Sequence, residues 1–218
     1  MANFFRIITG DIQQARFLSQ SPLRHIKTTY TLVTAPSIEP VTLSETKDFV
    51  GVTDDSSDTI IKNLIKCARQ WAEDFTSITF ISQEWSQRCD DLPPSIELIL
   101  DKAPLISVET ISSFDDANTE TTFAASNYVV DADSERTRGR IYLNNGSIWP
   151  TDLRDRQMLR AQYSSGFGPA ASDVPQAIKE ALKFAVQGLY NGKDECDDCS
   201  EFNIAKKKLR PYKLMDMF

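Results

Sequence analysis

Chemistry in this chain would have to come from few residues. Cys196 and Cys199 form a single CxxC within KDECDDCSE, the spacing of half a structural zinc site. The only histidine, His25, lies in SPLRHIK, far away in sequence, so four Cys or His ligands do not assemble from local motifs. The surrounding aspartates also disfavour a thiolate, which argues against a redox pair. The plain reading is an acidic loop. DDSSD (54–58) and DDCSE (197–201) carry carboxylates but lack the spaced oxygen ligands of a calcium loop. A Ser-His-Asp or Cys-His arrangement would depend on His25 alone, and the chain has no phosphate-loop, HExxH or dinucleotide glycine fingerprint. No catalytic residue, metal or cofactor is expected.

Two charged constellations suggest recognition instead. Arg136, Arg138 and Arg140 in SERTRGRIYL alternate, so in a strand they would share a face, as a solvated hairpin edge or as an intersubunit contact. The end of the sequence, AKKKLRPYKLMDMF, joins basic Lys206, Lys207, Lys208 and Arg210 to apolar Tyr212, Leu214, Met215, Met217 and Phe218. A solvated tail does not need those apolar groups, and a core does not accept three consecutive lysines. The expectation is an arm that docks on another protein through Lys206, Lys207, Lys208, Arg210, Tyr212, Leu214, Met217 and Phe218. Ordering it costs about 1–2 kcal/mol per residue, offset only where large apolar side chains are buried.

The elements that must hold these groups follow from composition and period. The chain has 218 residues, 41% hydrophobic and 25% charged, which fits one globular core with room for a subdomain. No apolar run is long enough for a spanning helix, and the N-terminal stretch does not read as a signal peptide. Residues 1–34 carry +3 and 204–218 carry +4 of the formal −7, leaving −14 on residues 35–203. An acidic body with basic ends disfavours a DNA reader and suits an acidic protein partner.

Residues 1–34 show weak periodicity and read as an N-terminal extension ordered on assembly. After the linker APSIEP, Thr42 and Glu45 form a capping box, Leu43, Thr46, Phe49 and Val50 share a face, and Gly51 suits the helix stop. The spacing of Ile61, Leu64, Ile65, Ala68, Trp71, Ala72 and Phe75 predicts a long amphipathic helix over about 55–76, with Asp54, Asp55 and Asp58 at its start. Cys67 there, and Cys89 further on, read as small buried hydrophobes. From 78 to 168 the period becomes two and predicts about six short strands. Ile178, Ala181, Leu182, Ala185 and Leu189 then mark a closing helix behind Val174-Pro175, and a short helix at about 201–209 ends before Pro211.

The fold class expected is α+β: a small helical bundle with an inserted β-rich subdomain and extended N- and C-terminal arms. Its parts are the extension 1–34, N-terminal helices 35–77, β subdomain 78–168, closing helix 169–201, and a short helix with docking arm over 202–218.

In this order the segments resemble the head–tail connector (adaptor) proteins of tailed bacteriophages. EPVTLSETKDFVGV and DDSSDTIIKNLIKCARQWAEDFT are similar to that family's opening helices, with their PV-T/S-L-x-E-x-K start. APLISVETI is similar to its Pro-Leu-x-Ser-Val-x-x-Ile strand, and NYVVD and GRIYL follow in order. VPQAIKEALKFAVQGLYNGKDE resembles the closing helix, and LRPYKL the Leu-x-Pro-Tyr-Arg signature. The resemblance spans about residues 35–214; residues 1–34 lie outside it.

The resemblance implies a structural virion protein without enzymatic activity, made and assembled in the bacterial host cytoplasm. It would form a homo-oligomeric ring, usually a dodecamer, beneath the portal protein. It would prolong a DNA channel through which the duplex passes without specific binding, and present a platform to a downstream neck or tail protein. The C-terminal segment would reach the portal. The competing readings are a monomeric binding module using its basic termini on an acidic protein or nucleic acid, and an enzyme using scattered carboxylates.

Overall fold

The computed structural model describes residues 27–93, 95–132, 137–192 and 200–214. Helix α1 (Leu43–Val50) begins at the expected capping box: the Glu45 N–H donates to the Thr42 hydroxyl at 3.2 Å and the Thr42 N–H donates to the Glu45 carboxylate at 3.0 Å. Gly51 ends it in the left-handed region at φ 82°, where a side chain would be strained. Helix α2 (Asp58–Thr76) buries Ile61, Ile65, Ala68 and Ala72, with Leu64, Trp71 and Phe75 packed partly against the same core. Helix α3 (Gln176–Tyr190) buries Ile178, Ala181, Leu182 and Ala185. Helix α4 (Ser200–Leu209) buries Phe202, Ala205 and Leu209, again at steps of three and four.

The four helices enclose one apolar cluster, sealed by aromatic contacts: Phe49 meets Phe184 edge-on at 5.0 Å and Trp71 meets Phe202 at 5.1 Å. Lys47 on α1 reaches Asp55 at 2.8 Å and Asp58 at 2.7 Å, so the DDSSD stretch is a helix start held by a lysine.

A second apolar cluster is built by antiparallel strands: β1 (Thr28–Thr34), β2 (Gln83–Cys89), β3 (Glu97–Ile99), β4 (Leu105–Phe114), β5 (Glu120–Thr122), β6 (Tyr128–Asp131), β7 (Arg140–Leu143) and β8 (Leu159–Ser165). They form a five-stranded sheet in the order β1-β2-β8-β4-β5 and a three-stranded sheet in the order β3-β7-β6. Strand β8, whose burial alternates with each residue, is central to the larger sheet. Beneath it, the Tyr163 hydroxyl donates to the Gln87 side-chain oxygen at 3.1 Å and accepts the Lys102 N–H at 3.1 Å. Gln87 in turn donates to the Ile99 carbonyl at 2.9 Å, which ties the third strand to the larger sheet. Burial pushes the Tyr163 hydroxyl above its ordinary pKa, so it stays a donor.

The molecule is thus a mixed α+β protein with helices and antiparallel sheets. One expectation is corrected. Residues 28–34, assigned to an extension ordered only on assembly, form β1 and pair with β2 from Thr28 opposite Cys89 to Thr34 opposite Glu84. The larger sheet therefore draws a strand from before the first helix. A run of Thr, Tyr, Leu and Val has high strand propensity, but its partner lies some fifty residues away, beyond the reach of local periodicity.

Between the two layers the chain crosses after β8 on Gly166, at φ 139°. A side chain there would come within 2.8 Å of the Ile81 backbone, so glycine is what lets the strand exit lie directly on the segment that leads into β2.

Candidate functional site

The C-terminal face is built from α4 and the turn that follows it. Phe202, Ala205 and Leu209 face inward, which turns Asn203, Ile204, Lys207 and Arg210 outward. Pro211 stops the α-helix, and Arg210–Tyr212 make one tighter turn. The chain then comes back to α2. The Leu214 N–H donates to the Thr76 carbonyl at 2.9 Å, and the Leu214 side chain, 7% exposed, sits in the helical core. Tyr212 packs partly against the same core.

This corrects the expected arm in one place and redraws it in others. Leu214 belongs to its own subunit because Thr76, at the end of α2, has a carbonyl without a helical partner and an apolar hollow beside it. The Lys208 ammonium lies 5.9 Å from the Phe184 ring, and that of Lys213 lies 5.0 Å from Phe75, both on the parent subunit. Met217 and Phe218 lie outside the described residues. What stays outward is a cleft of about 390 Å³ lined by Phe75, Asn203, Ile204, Lys206, Lys207 and Arg210. Its floor is apolar and its rim basic, with Ile204 39% exposed. Sequence reasoning found the cations of this face but missed Ile204, on the same helix, and Phe75, which only the packing of α4 on α2 brings beside them.

Of the expected arginine row, only Arg138 and Arg140 lie among the described residues; Arg136 lies outside them. Arg138 precedes the strand, and Arg140 is the first residue of β7. Arg140 donates to Glu97 at 2.9 Å and the Arg138 guanidinium stands 4.0 Å from Asp101, both within the subunit. Their charges are met across the three-stranded sheet and the loop after it, a pairing that alternation along one strand does not reveal.

A buried ionic cluster joins the two layers and was not legible locally. Arg69 on α2, 7% exposed, donates to Glu39 at 2.8 Å and to Glu73 at 2.7 Å. Glu73 also accepts the Phe80 N–H and the Gln83 amide, each at 2.9 Å. Burial raises the Glu73 pKa, and Arg69 and these hydrogen bonds oppose the rise. The only signal in the sequence is the i, i+4 spacing of Arg69 and Glu73 on one helix face.

Beside it a polar cleft is lined by Thr28, Tyr30, Glu73, Asp74, Ser77, Asp101, Lys102 and Arg138. The Lys102 ammonium stands 4.3 Å from the Tyr30 ring and 4.6 Å from that of Trp85, and burial lowers its pKa. At the far end of the larger sheet, Arg88, Arg154 and Arg160 surround the Phe114 ring at 5.6, 4.5 and 5.5 Å. Arg160 pairs with Glu120, while Arg88 and Arg154 donate to the side-chain oxygens of Gln157 and Asn118.

Among the described residues no group of three or more His, Cys, Asp or Glu is placed to hold a metal ion, and no helix is long and apolar enough to cross a membrane. Cys196, Cys199 and His25 lie outside the described residues. Cys89 is buried, as expected, and its thiol is pushed up to about 12 by burial. Cys67 is exposed, contrary to expectation, because it falls on the outer face of α2.

Residues 40–123 match a protein family described as phage gp6-like head-tail connector protein. The match covers the two opening helices and the strand APLISVETI, and bears out the resemblance to head–tail connectors. No curated protein matches the chain. Among solved structures the fold is similar to a chain in the neck of an empty gene transfer agent (GTA) particle treated with six-fold symmetry. That likeness has a TM-score of 0.72 and 19% identity, over 87% of this chain and 97% of the other. A chain of the native GTA virion gives 0.74 at 18% identity, and one from the native GTA neck treated with twelve-fold symmetry gives 0.67 at 18%, each with the same coverage. The family is described as a head-tail connector, and the similar chains come from the neck or the virion of GTA particles.

Proposed function

We propose that this chain is a structural virion protein: a ring adaptor between the portal and the next neck or tail component, extending the DNA channel. The observation that carries this reading is the connector-family match over 40–123, joined to a likeness to neck chains that spans both the helical and the sheet layers. The reading includes a finer architecture, a helical bundle from which a β-rich subdomain projects, which the two separate apolar clusters support. Twelve copies per ring, a downstream neck partner and a virion location come from the same reading.

The portal-facing surface is the α4 cleft. Its apolar floor of Phe75 and Ile204 supplies area, and its rim of Lys206, Lys207 and Arg210 selects an acidic partner. With Leu214 anchoring the turn, this face is held ready rather than ordered on contact, which lowers the entropic cost of docking. The −14 carried by residues 35–203 gives duplex DNA no phosphate foothold, so a channel lined by that body lets it pass.

Native mass spectrometry of the full chain, alone and with purified portal, tests the proposal. The expected result is a ring on the portal that is lost when Lys206, Lys207 and Arg210 are all replaced by glutamate. A chain that stays monomeric and ignores the portal overturns it. Tight binding to duplex DNA with a steep salt dependence would instead favour the binding module with basic termini.

A further inference from the structure

We propose that the open edge of β1 is filled, in the assembled ring, by strand β6 of a neighbouring copy of this chain. The inference rests on the ring reading above.

Among the described residues β1 pairs only with β2, and the sheet order leaves it at an edge. The Asp90 N–H donates to the Lys27 carbonyl, so Lys27 faces β2 and the backbone groups of Thr28, Tyr30 and Leu32 point away from it. Soluble proteins usually guard such an edge with charge, proline or brevity. Strand β1 has none of these: TTYTLVT is seven residues without a charge or a proline, six of them exposed, with Leu32 at 41% and Val33 at 53%. The opposite edge of the same sheet is guarded in the usual way, since β5 has three residues and begins with Glu120, paired to Arg160.

A second open edge, short but apolar at its centre, lies in the other sheet. Strand β6 (YVVD) pairs only with β7, and Val129 and Val130 are 56% and 38% exposed. The Leu143 N–H donates to the Ile96 carbonyl, which turns Leu143 and, by parity, Ile141 toward β3. Val130, opposite Ile141, therefore directs its N–H and C=O away from β7, into the open.

The two edges belong to different sheets of one subunit. Their pairing across copies is head-to-tail, the kind of contact that closes rings, whereas β1 against β1 would stop at a two-fold dimer. Antiparallel alignment also sets Asp131, at the end of β6, beside Lys27, at the start of β1, so opposite charges meet and mark the register.

The test is cross-linking in the full chain with Cys67→Ser, Cys196→Ser and Cys199→Ser as background. One variant carries Thr29→Cys, another Val129→Cys, which this register sets directly opposite each other, and the two are mixed and treated with a short bis-maleimide. The expected result is cross-linked pairs in the mixture, none in either variant alone, and a ladder of higher species when both cysteines sit on one chain. Dimers from Thr29→Cys alone would mean two-fold β1 pairing and overturn the proposal. A ring seen by native mass spectrometry without the ladder overturns this interface but leaves the ring reading standing. A chain that remains monomeric with and without portal fails both.

Discussion

The backbone N–H of Leu214 donates to the carbonyl of Thr76 at 2.9 Å, fastening the exit from α4 to the last residue of α2. That one bond decides that the segment after Pro211 begins as part of its own subunit, with Leu214 in the helical core beside Phe202 and Leu209.

Leu214→Ala should then lower the stability of the isolated chain by about 2–5 kcal/mol, the usual cost of emptying a buried leucine site. Urea denaturation followed by tryptophan fluorescence reads it directly, since Trp71 lies in the same cluster. A loss below about 0.5 kcal/mol, the range of ordinary surface substitutions, would mean that Leu214 is not core.

The cluster of Arg69, Glu39 and Glu73 gives a pH-dependent prediction. Glu73 has a folded-state pKa raised above the ordinary 4.5, so its contribution to stability is present below that value and is lost as pH rises through the raised one. Arg69 limits that loss. Arg69→Leu leaves Glu73 without its cation and should cost about 3–5 kcal/mol at neutral pH. The deficit should shrink as the pH falls toward 4.5, where Glu73 takes up a proton. Denaturation at pH 4.5 and pH 7.5 compares the two limits; an equal deficit at both would show that Glu73 is not the group responsible.

Thiol labelling separates two cysteines that sequence treats alike. In a chain with Cys196→Ser and Cys199→Ser, one thiol, Cys67, should react at once under native conditions. Cys89, 1% exposed and with its pKa pushed up to about 12, should react only on unfolding. Two fast thiols would place Cys89 at the surface.

Docking through the α4 cleft should be salt-sensitive. Screening shortens to about 8 Å at physiological ionic strength, so added salt should slow association with the portal more than dissociation. Ile204→Ala and Phe75→Ala should instead speed dissociation. Phe75 also packs on Trp71 at 5.9 Å, so its effect on melting must be read alongside. Surface plasmon resonance on immobilised portal distinguishes the two classes; equal salt response in rim and floor variants would argue against the cleft.

The sequence by itself determined what depends on neighbours within one turn. The Thr42–Glu45 capping box, the stop at Gly51 and the inward stripes of α2, α3 and α4 are all contacts between residues three or four apart, so residue types and spacing are enough. The family resemblance was also legible, since it resides in ordered local motifs. Only the tertiary structure decided which surface each buried or charged group meets. Periodicity marks Leu214 as apolar but says nothing of whose core it fills. Alternation aligns Arg138 and Arg140 but cannot place Asp101 and Glu97 against them. Strand β1 finds β2 some fifty residues along the chain, and Arg69 gathers Glu39 from thirty residues away. Such pairings are set by the summed free energy of packing many segments at once, and that sum has no local signature.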